Sequence, residues 1–217
     1  ISIPTSSAPG TGRWRRGRLQ VCEIWAENFL TGERQPVLRQ GSRQVQVPEV
    51  PVTHEQIERR AQDEGAKARA ALSGHDSPSD PSRFTLYFLT PTRLVEGGHL
   101  LKPENFRFRP FFQRLLERLE ALSEAFSDTP LGVDFPALLE AAEGVRVVER
   151  RLAWEDLCSY STRRHAESPI GGLVGGVTLE AKDWTPFLPW LLWGQFTHVG
   201  KDAVKGNGWY QMARVSA

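Results

Sequence analysis

From residue 83 onward the apolar residues switch between a two-residue and a 3.6-residue period, and this alternation constrains the fold most. Residues 83–89 place Phe84, Leu86 and Phe88 on one side and Thr85, Tyr87 and Leu89 on the other, as a central strand would. Residues 109–126 carry Phe112, Leu115, Leu116, Leu119 and Leu122 on one helical stripe, with Arg114, Glu117, Arg118 and Glu124 off it. Asp134, Pro136 and Gly144 bracket a short extra helix, and 145–154 and 172–180 read as strands. Asp183 is expected to cap a buried helix that runs through Trp193 and stops at Gly194, before a last strand over 208–215. Without the extra helix the order is βαββαβ, so the predicted class is α+β with a ferredoxin-like (RRM-like) domain over 83–217.

The first part of the chain is organised differently. Residues 18–25 alternate as a half-buried strand, Thr31-Gly32-Glu33 reads as a turn, and 35–38 can return as its partner. The segment 55–72 is a charged, alanine-rich helix with Thr53 and Gln56 in a capping-box spacing. Its large apolar residues are Ile57 and Leu72, so it is expected to bury almost nothing. Residues 73–81 are Ser, Pro, Asp and Gly linker chemistry, which puts a domain boundary near residue 82. A chain that opens on Ile1 is expected to be a fragment or a processed product.

A formal net charge of +1 argues against nucleic-acid binding over the whole surface, so any basic function must be local. Three basic clusters stand out: Arg13-Trp14-Arg15-Arg16-Gly17-Arg18, Arg163-Arg164-His165, and Lys201 with Lys205. The two cysteines, Cys22 and Cys158, lack metal-ligand spacing and fit a reducing compartment. No apolar run reaches the roughly 18 residues of a membrane span, so a soluble cytoplasmic protein is expected, without metal or other cofactor.

The richest stretch is the last fifth. Gly171-Gly172-Leu173-Val174-Gly175-Gly176 precedes an apolar run, and His198-Val199-Gly200-Lys201 leads to Lys205-Gly206-Asn207-Gly208-Trp209-Tyr210. Glycines let backbone amides turn toward a phosphate and let an anionic chain come close, while lysines add point charges. The plainer alternative is a flexible helix-to-strand turn. Trp209 and Tyr210 can offer rings to stacked bases, and the glycine spacing is not that of a phosphate-binding loop ending in Lys-Ser/Thr. Metal-independent RNA cleavage needs a base for the 2′-OH, an acid for the 5′-oxygen and a cation for the phosphate. His198, His165 and Tyr160 are the candidates for the proton transfers, although His198 can equally be a helix-capping residue and His165 a solvent-exposed one. Trp14 between arginines favours RNA contact over a solvated tail.

Thr90-Pro91-Thr92-Arg93-Leu94, Trp154-Glu155-Asp156, Tyr160-Ser161, Gly171-Gly172-Leu173-Val174-Gly175, Pro186-Phe187-Leu188-Pro189, His198-Val199-Gly200-Lys201 and Gly206-Asn207-Gly208 occur in that order. Over about 83–215 they resemble the C-terminal half of the CRISPR-associated endoribonucleases that process precursor crRNA, members of the RAMP superfamily. The resemblance implies two tandem ferredoxin-like domains, with 1–82 the remnant of the first plus a linker. It implies that CRISPR repeat RNA is recognised and cut by 2′-OH attack, that the product is a crRNA, and that other CRISPR effector subunits are partners. Lys201, Lys205, Gly200, Gly206 and Gly208 would then grip the repeat, Arg163 and Arg164 would clamp phosphates, and Arg13, Arg15, Arg16 and Arg18 would extend the groove. The family's catalytic histidine often lies in the first domain, which would place it upstream of this chain. Asp202 and Trp209 depart from the family's loop pattern. A non-catalytic RNA-binding subunit and an unrelated ferredoxin-like small-molecule binder are the alternatives.

Overall fold

The computed structural model describes residues 20–72, 82–161 and 166–215. The basic cluster 13–18, the linker 73–81 and the cluster Arg163, Arg164 and His165 therefore lie outside the described residues. Two compact units divide within a helix, as Ile1–Ile57 and Glu58–Ala217.

In the first unit, β1 (Ile24–Asn28) pairs antiparallel with β2 (Glu33–Leu38). The chain reverses where expected, at Thr31-Gly32-Glu33, with Gly32 at φ 76°. Asn28 is almost wholly buried and fully bonded, donating to Pro51 O and Gln56 Oε1 and accepting from the Leu30 amide. The helix α1 (His54–Leu72) opens with the predicted reciprocal cap. Gln56 N donates to Thr53 Oγ1 and Thr53 N donates to Gln56 Oε1.

In the second unit α1 buries more than its composition promised. Ala61, Glu64, Gly65 and Ala68 form a buried stripe of mostly small residues. A methyl group on Gly65 would sit 3.6 Å from Leu188 Cδ1, and Arg69 donates to Thr185 Oγ1. Small residues thus let this helix come close to its neighbour, which a count of large apolar side chains misses.

The sheet and helices follow as β3 (Ser82–Thr92), a short hairpin of β4 (Val95–Glu96) and β5 (His99–Leu100), then α2 (Phe108–Phe126) and α3 (Phe135–Ala142). Asp134 caps α3 by accepting from the Ala137 amide, as expected. Next come β6 (Arg146–Glu155), β7 (Cys158–Ser161), β8 (Ala166–Pro169), β9 (Gly172–Ala181), α4 (Leu188–Thr197) and β10 (Tyr210–Arg214). The four long strands form one antiparallel sheet in the order β10-β3-β9-β6. This is the ferredoxin-like α+β arrangement expected of βαββαβ. The hairpin of β7 and β8 is an addition that the polar sequence there did not announce.

The helix-side core is aromatic. Phe111 sits edge-on to Phe88 and Tyr210 at centroid distances of 5.8 and 5.3 Å, and Phe108 does the same to Phe187 and Trp184 at 5.3 and 6.0 Å. The Trp184 indole donates to Ser82 O.

Two expectations about α4 fail. Asp183 does not cap the helix: its carboxylate accepts from the Thr185 amide in the preceding turn, and Phe187 occupies the N-cap position. Gly194 does not stop it either, because the helix continues to Thr197. A Cβ on Gly194 would run into the Tyr210 hydroxyl and come within 2.6 Å of Leu115 Cδ1, so glycine is there for close packing against β10 and α2. From the next residue of the helix, Gln195 Oε1 accepts a hydrogen bond from the Met212 amide of β10. Among the described residues no helix is long and apolar enough to cross a membrane.

Candidate functional site

The loop 198–208 begins with an unusual backbone. His198 follows α4 at φ 62° and ψ 173°, a region that is essentially glycine's. Three contacts hold it there. Its amide donates to Gly194 O at 2.9 Å, its Nδ1 lies 3.1 Å from Asn207 O, and its ring stacks on Trp209 at 12° between planes. A carbonyl oxygen can only accept, so Nδ1 carries the proton in that bond and the neutral ring keeps its lone pair on Nε2.

The ends of the loop are stitched to the C-terminal end of β3. Lys201 N donates to Arg93 O at 2.9 Å, Gly208 N to Pro91 O at 3.1 Å, and Val199 N to Gly208 O at 3.0 Å. Gly200 and Gly208, at φ 84° and 76°, lie so close to the Arg93 and Val199 backbones that a side chain would collide. Thr90 joins both sides, its hydroxyl donating to Gly206 O and accepting from the Trp209 amide. Asn207, nearly buried, donates to Ile170 O, and Arg93 donates to Gly171 O, tying in the start of β9.

The tip is different. It forms a 3-10 turn over Ala203–Lys205, with Asp202 and Gly206 both left-handed at φ 64° and 90°. Lys205 Nζ pairs with Asp202 Oδ1 at 2.7 Å, so the carboxylate that departs from the expected loop pattern is neutralised within the loop. Lys201 is exposed and forms no salt bridge among the described residues. The amides of Gly200, Asp202 and Ala203 likewise make no hydrogen bond among the described residues.

The structure thus brings together His198, Gly200, Lys201, Lys205, Gly206 and Gly208. The Tyr160 backbone lies in β7, on a separate hairpin, and its side chain is outside the described residues, as are Arg163, Arg164 and His165. Tyr210 does not offer a ring to bases. It is wholly buried, its hydroxyl donates to Leu191 O at 2.7 Å, and burial pushes its pKa well above the ordinary phenol range. Gly171 and Gly172 serve close approach of the protein's own chain: a Cβ would strike Glu155 O at the first and lie 2.6 Å from the Thr92 backbone at the second. Thr90 and Asn207, which organise the loop, were not singled out from sequence, although both sit in motifs that carried the family resemblance.

No curated protein sequence matches the chain. Among solved structures, a chain of a partial Cas6-RT-Cas1–Cas2 complex superposes with a TM-score of 0.57 at 16% identity, covering 79% of this chain and 28% of that one. A second Cas6-RT-Cas1–Cas2 complex gives 0.57 and 16% over 79% of this chain and 18% of the other. Thermus thermophilus Cas6 gives 0.50 and 18%, covering 75% of this chain and 58% of that protein. The chain thus spans less than two thirds of the length of each of these relatives, and the likeness establishes the fold. The sequence profile of the family described as CRISPR-associated endoribonuclease Cas6 matches residues 86–210, more than half of the chain, from within β3 through the glycine-rich loop to the first residue of β10. The chain belongs to the CRISPR-associated endoribonuclease Cas6 family.

Proposed function

We propose that this chain recognises CRISPR repeat RNA and takes part in cutting precursor crRNA without a metal, by attack of the 2′-OH on the adjacent phosphate. The observation that carries the reading is the state of His198 in the family's loop. With Nδ1 engaged by Asn207 O, Nε2 is left to accept a proton, and an uncompensated lysine stands three residues away in sequence. In this reading His198 takes the 2′-OH proton, Lys201 balances the charge growing on the phosphate, and the open amides of Gly200, Asp202 and Ala203 hold phosphate oxygens. Gly206 and Gly208 shape the loop, and Lys205 contributes once an RNA phosphate competes with Asp202. His165 and Tyr160 remain candidates for the acid, Arg163 and Arg164 for phosphate clamps, and Arg13, Arg15, Arg16 and Arg18 for an extension of the groove. The RNA product and other CRISPR subunits are the partners proposed, and residues up to 82 are proposed as the end of a preceding ferredoxin-like domain.

The test is incubation of the full-length protein with labelled repeat RNA in EDTA. One cut that survives chelation and leaves a 2′,3′-cyclic phosphate is expected. His198→Ala is expected to slow that cut by about 10²-fold or more. Tight binding with the RNA left intact would instead support the second reading, a non-catalytic RNA-binding subunit. The Lys205–Asp202 pair favours that alternative, because half of the loop's lysine charge is already used.

A further inference from the structure

The tip of the loop carries a carboxylate that its backbone does not need. Asp202 stands at φ 64°, a conformation that suits glycine or asparagine at least as well. Its side chain caps nothing, because the 3-10 turn is closed by backbone bonds alone. Lys205 N donates to Asp202 O at 2.8 Å, Gly206 N to Ala203 O at 3.0 Å and Asn207 N to Asp202 O at 3.3 Å. What the carboxylate holds is Lys205 Nζ, at 2.7 Å.

The Asp202 side chain is 19% exposed and that of Lys205 48%, so the lysine is the accessible half of the pair. An exposed ion pair of this kind adds little to stability, and its larger effect is on charge. The formal charges of Lys201, Lys205 and Asp202 sum to +1, where the two lysines alone would give +2. Lys201, without a salt bridge among the described residues, keeps the charge that remains, next in the chain to the open amides of Gly200 and Asp202.

Counter-ions decide what this means for an anionic chain. A lysine that meets a phosphate releases a small cation from the nucleic acid, which drives the contact and makes it weaken with salt. At Lys205 a phosphate first has to displace Asp202, and the freed carboxylate then attracts a cation in its place. The exchange releases no ion on balance, so the contact loses that driving force.

We propose that Asp202 is a built-in counter-ion that keeps Lys205 from gripping anionic chains non-specifically, leaving Lys201 and the open amides as the loop's hold on phosphate. That the anionic chain is RNA rests on the function proposed above; the withholding of Lys205 rests on the ion pair.

The experiment measures the affinity of the full chain for a labelled oligouridine of about 12 nucleotides by fluorescence anisotropy over a salt series, beside the EDTA cleavage assay. Asp202→Asn keeps a residue that accepts the left-handed backbone and frees the lysine. It is expected to tighten binding about two- to fivefold at low salt and to steepen the log–log salt slope by about 0.7. Adding Lys205→Gln is expected to take that gain away. Glu140→Gln, an equal change of charge on the exposed side of α3, is expected to leave the slope as it is, and melting curves confirm that each variant is folded. A gain that survives Lys205→Gln would overturn the proposal, because the carboxylate would then repel the strand directly. So would a double variant that binds more weakly than the wild type, which would show Lys205 gripping the strand with Asp202 in place. An Asp202→Asn chain no tighter than the Glu140→Gln chain, or no binding by either at low salt, would overturn it as well. Repeat cleavage with an unchanged slope in Asp202→Asn sinks this inference alone. A steeper slope with no cleavage sinks the processing role and keeps the counter-ion.

Discussion

On one face of the four-stranded sheet, Phe84 and Phe88 of β3 meet the rings of Trp184, Phe106 and Phe111 edge to face; on the other, Arg83, Thr85 and Tyr87 of the same strand face a groove. Alternation along one strand sends successive residues to opposite faces, so eleven residues of β3 serve both a closed core and an open surface. The lesson is that a closed aromatic core and an open polar surface are written on opposite sides of the same backbone. Substitutions should separate accordingly.

The largest effect is expected at Phe111, which is fully buried among Phe88, Phe106, Phe108 and Tyr210. Phe111→Ala should destabilise the chain by about 4 kcal/mol in chemical denaturation, while Tyr87→Ala stays within about 0.5 kcal/mol. Equal losses at the two positions would break the comparison. Gly194→Ala comes next. It should cost about 2–3 kcal/mol, because the new methyl group displaces Tyr210 and Leu115. A gain of about 1 kcal/mol, as for alanine in an unobstructed helix, would show that the contact with β10 is not tight.

Glu180 gives the smallest of the three expected losses and the one that depends on pH. Burial raises its carboxyl pKa, and hydrogen bonds and charge from Arg83 and Arg146 more than reverse this, holding it below the ordinary value. A carboxyl depressed in the folded state stabilises above the unfolded value, near 4.5, and that contribution fades as pH falls through the folded pKa. Both arginines are more than half exposed, so screening limits the effect. Glu180→Gln should cost about 1 kcal/mol at neutral pH, with the two stability curves converging in acid. Parallel curves down to low pH would rule out the carboxylate as the source.

Much of this architecture was legible in the sequence because its signals are local. The α2 stripe, the Thr53–Gln56 cap and the Asp134 cap need nothing beyond neighbouring residues. Gly194 was misread because glycine looks the same whether it ends a helix or admits a partner; Tyr210, sixteen residues later in the chain, decides which. The burial of α1 escaped notice because alanine and glycine carry little hydrophobicity of their own, and closeness is visible once Leu188 is in place. At the loop, the sequence marks the glycines and Lys201 as candidates, but it does not show that the ends are bound to β3 while the tip keeps open amides. Nor could composition show that Tyr210 points into the core while Trp209 stacks on His198.

The hydrogen bond from the Met212 amide to Gln195 reaches beyond α4 itself. β10 is the outer strand of the sheet, and an outer strand's unpaired amides invite another chain to add itself as a further strand. Gln195 occupies one of those amides with a side chain, at the cost of no extra strand. At the opposite margin, β6 breaks its register between Val147 and Glu149 and carries Glu149, Arg150 and Arg151 in succession. Both margins are thereby made poorer templates for sheet extension.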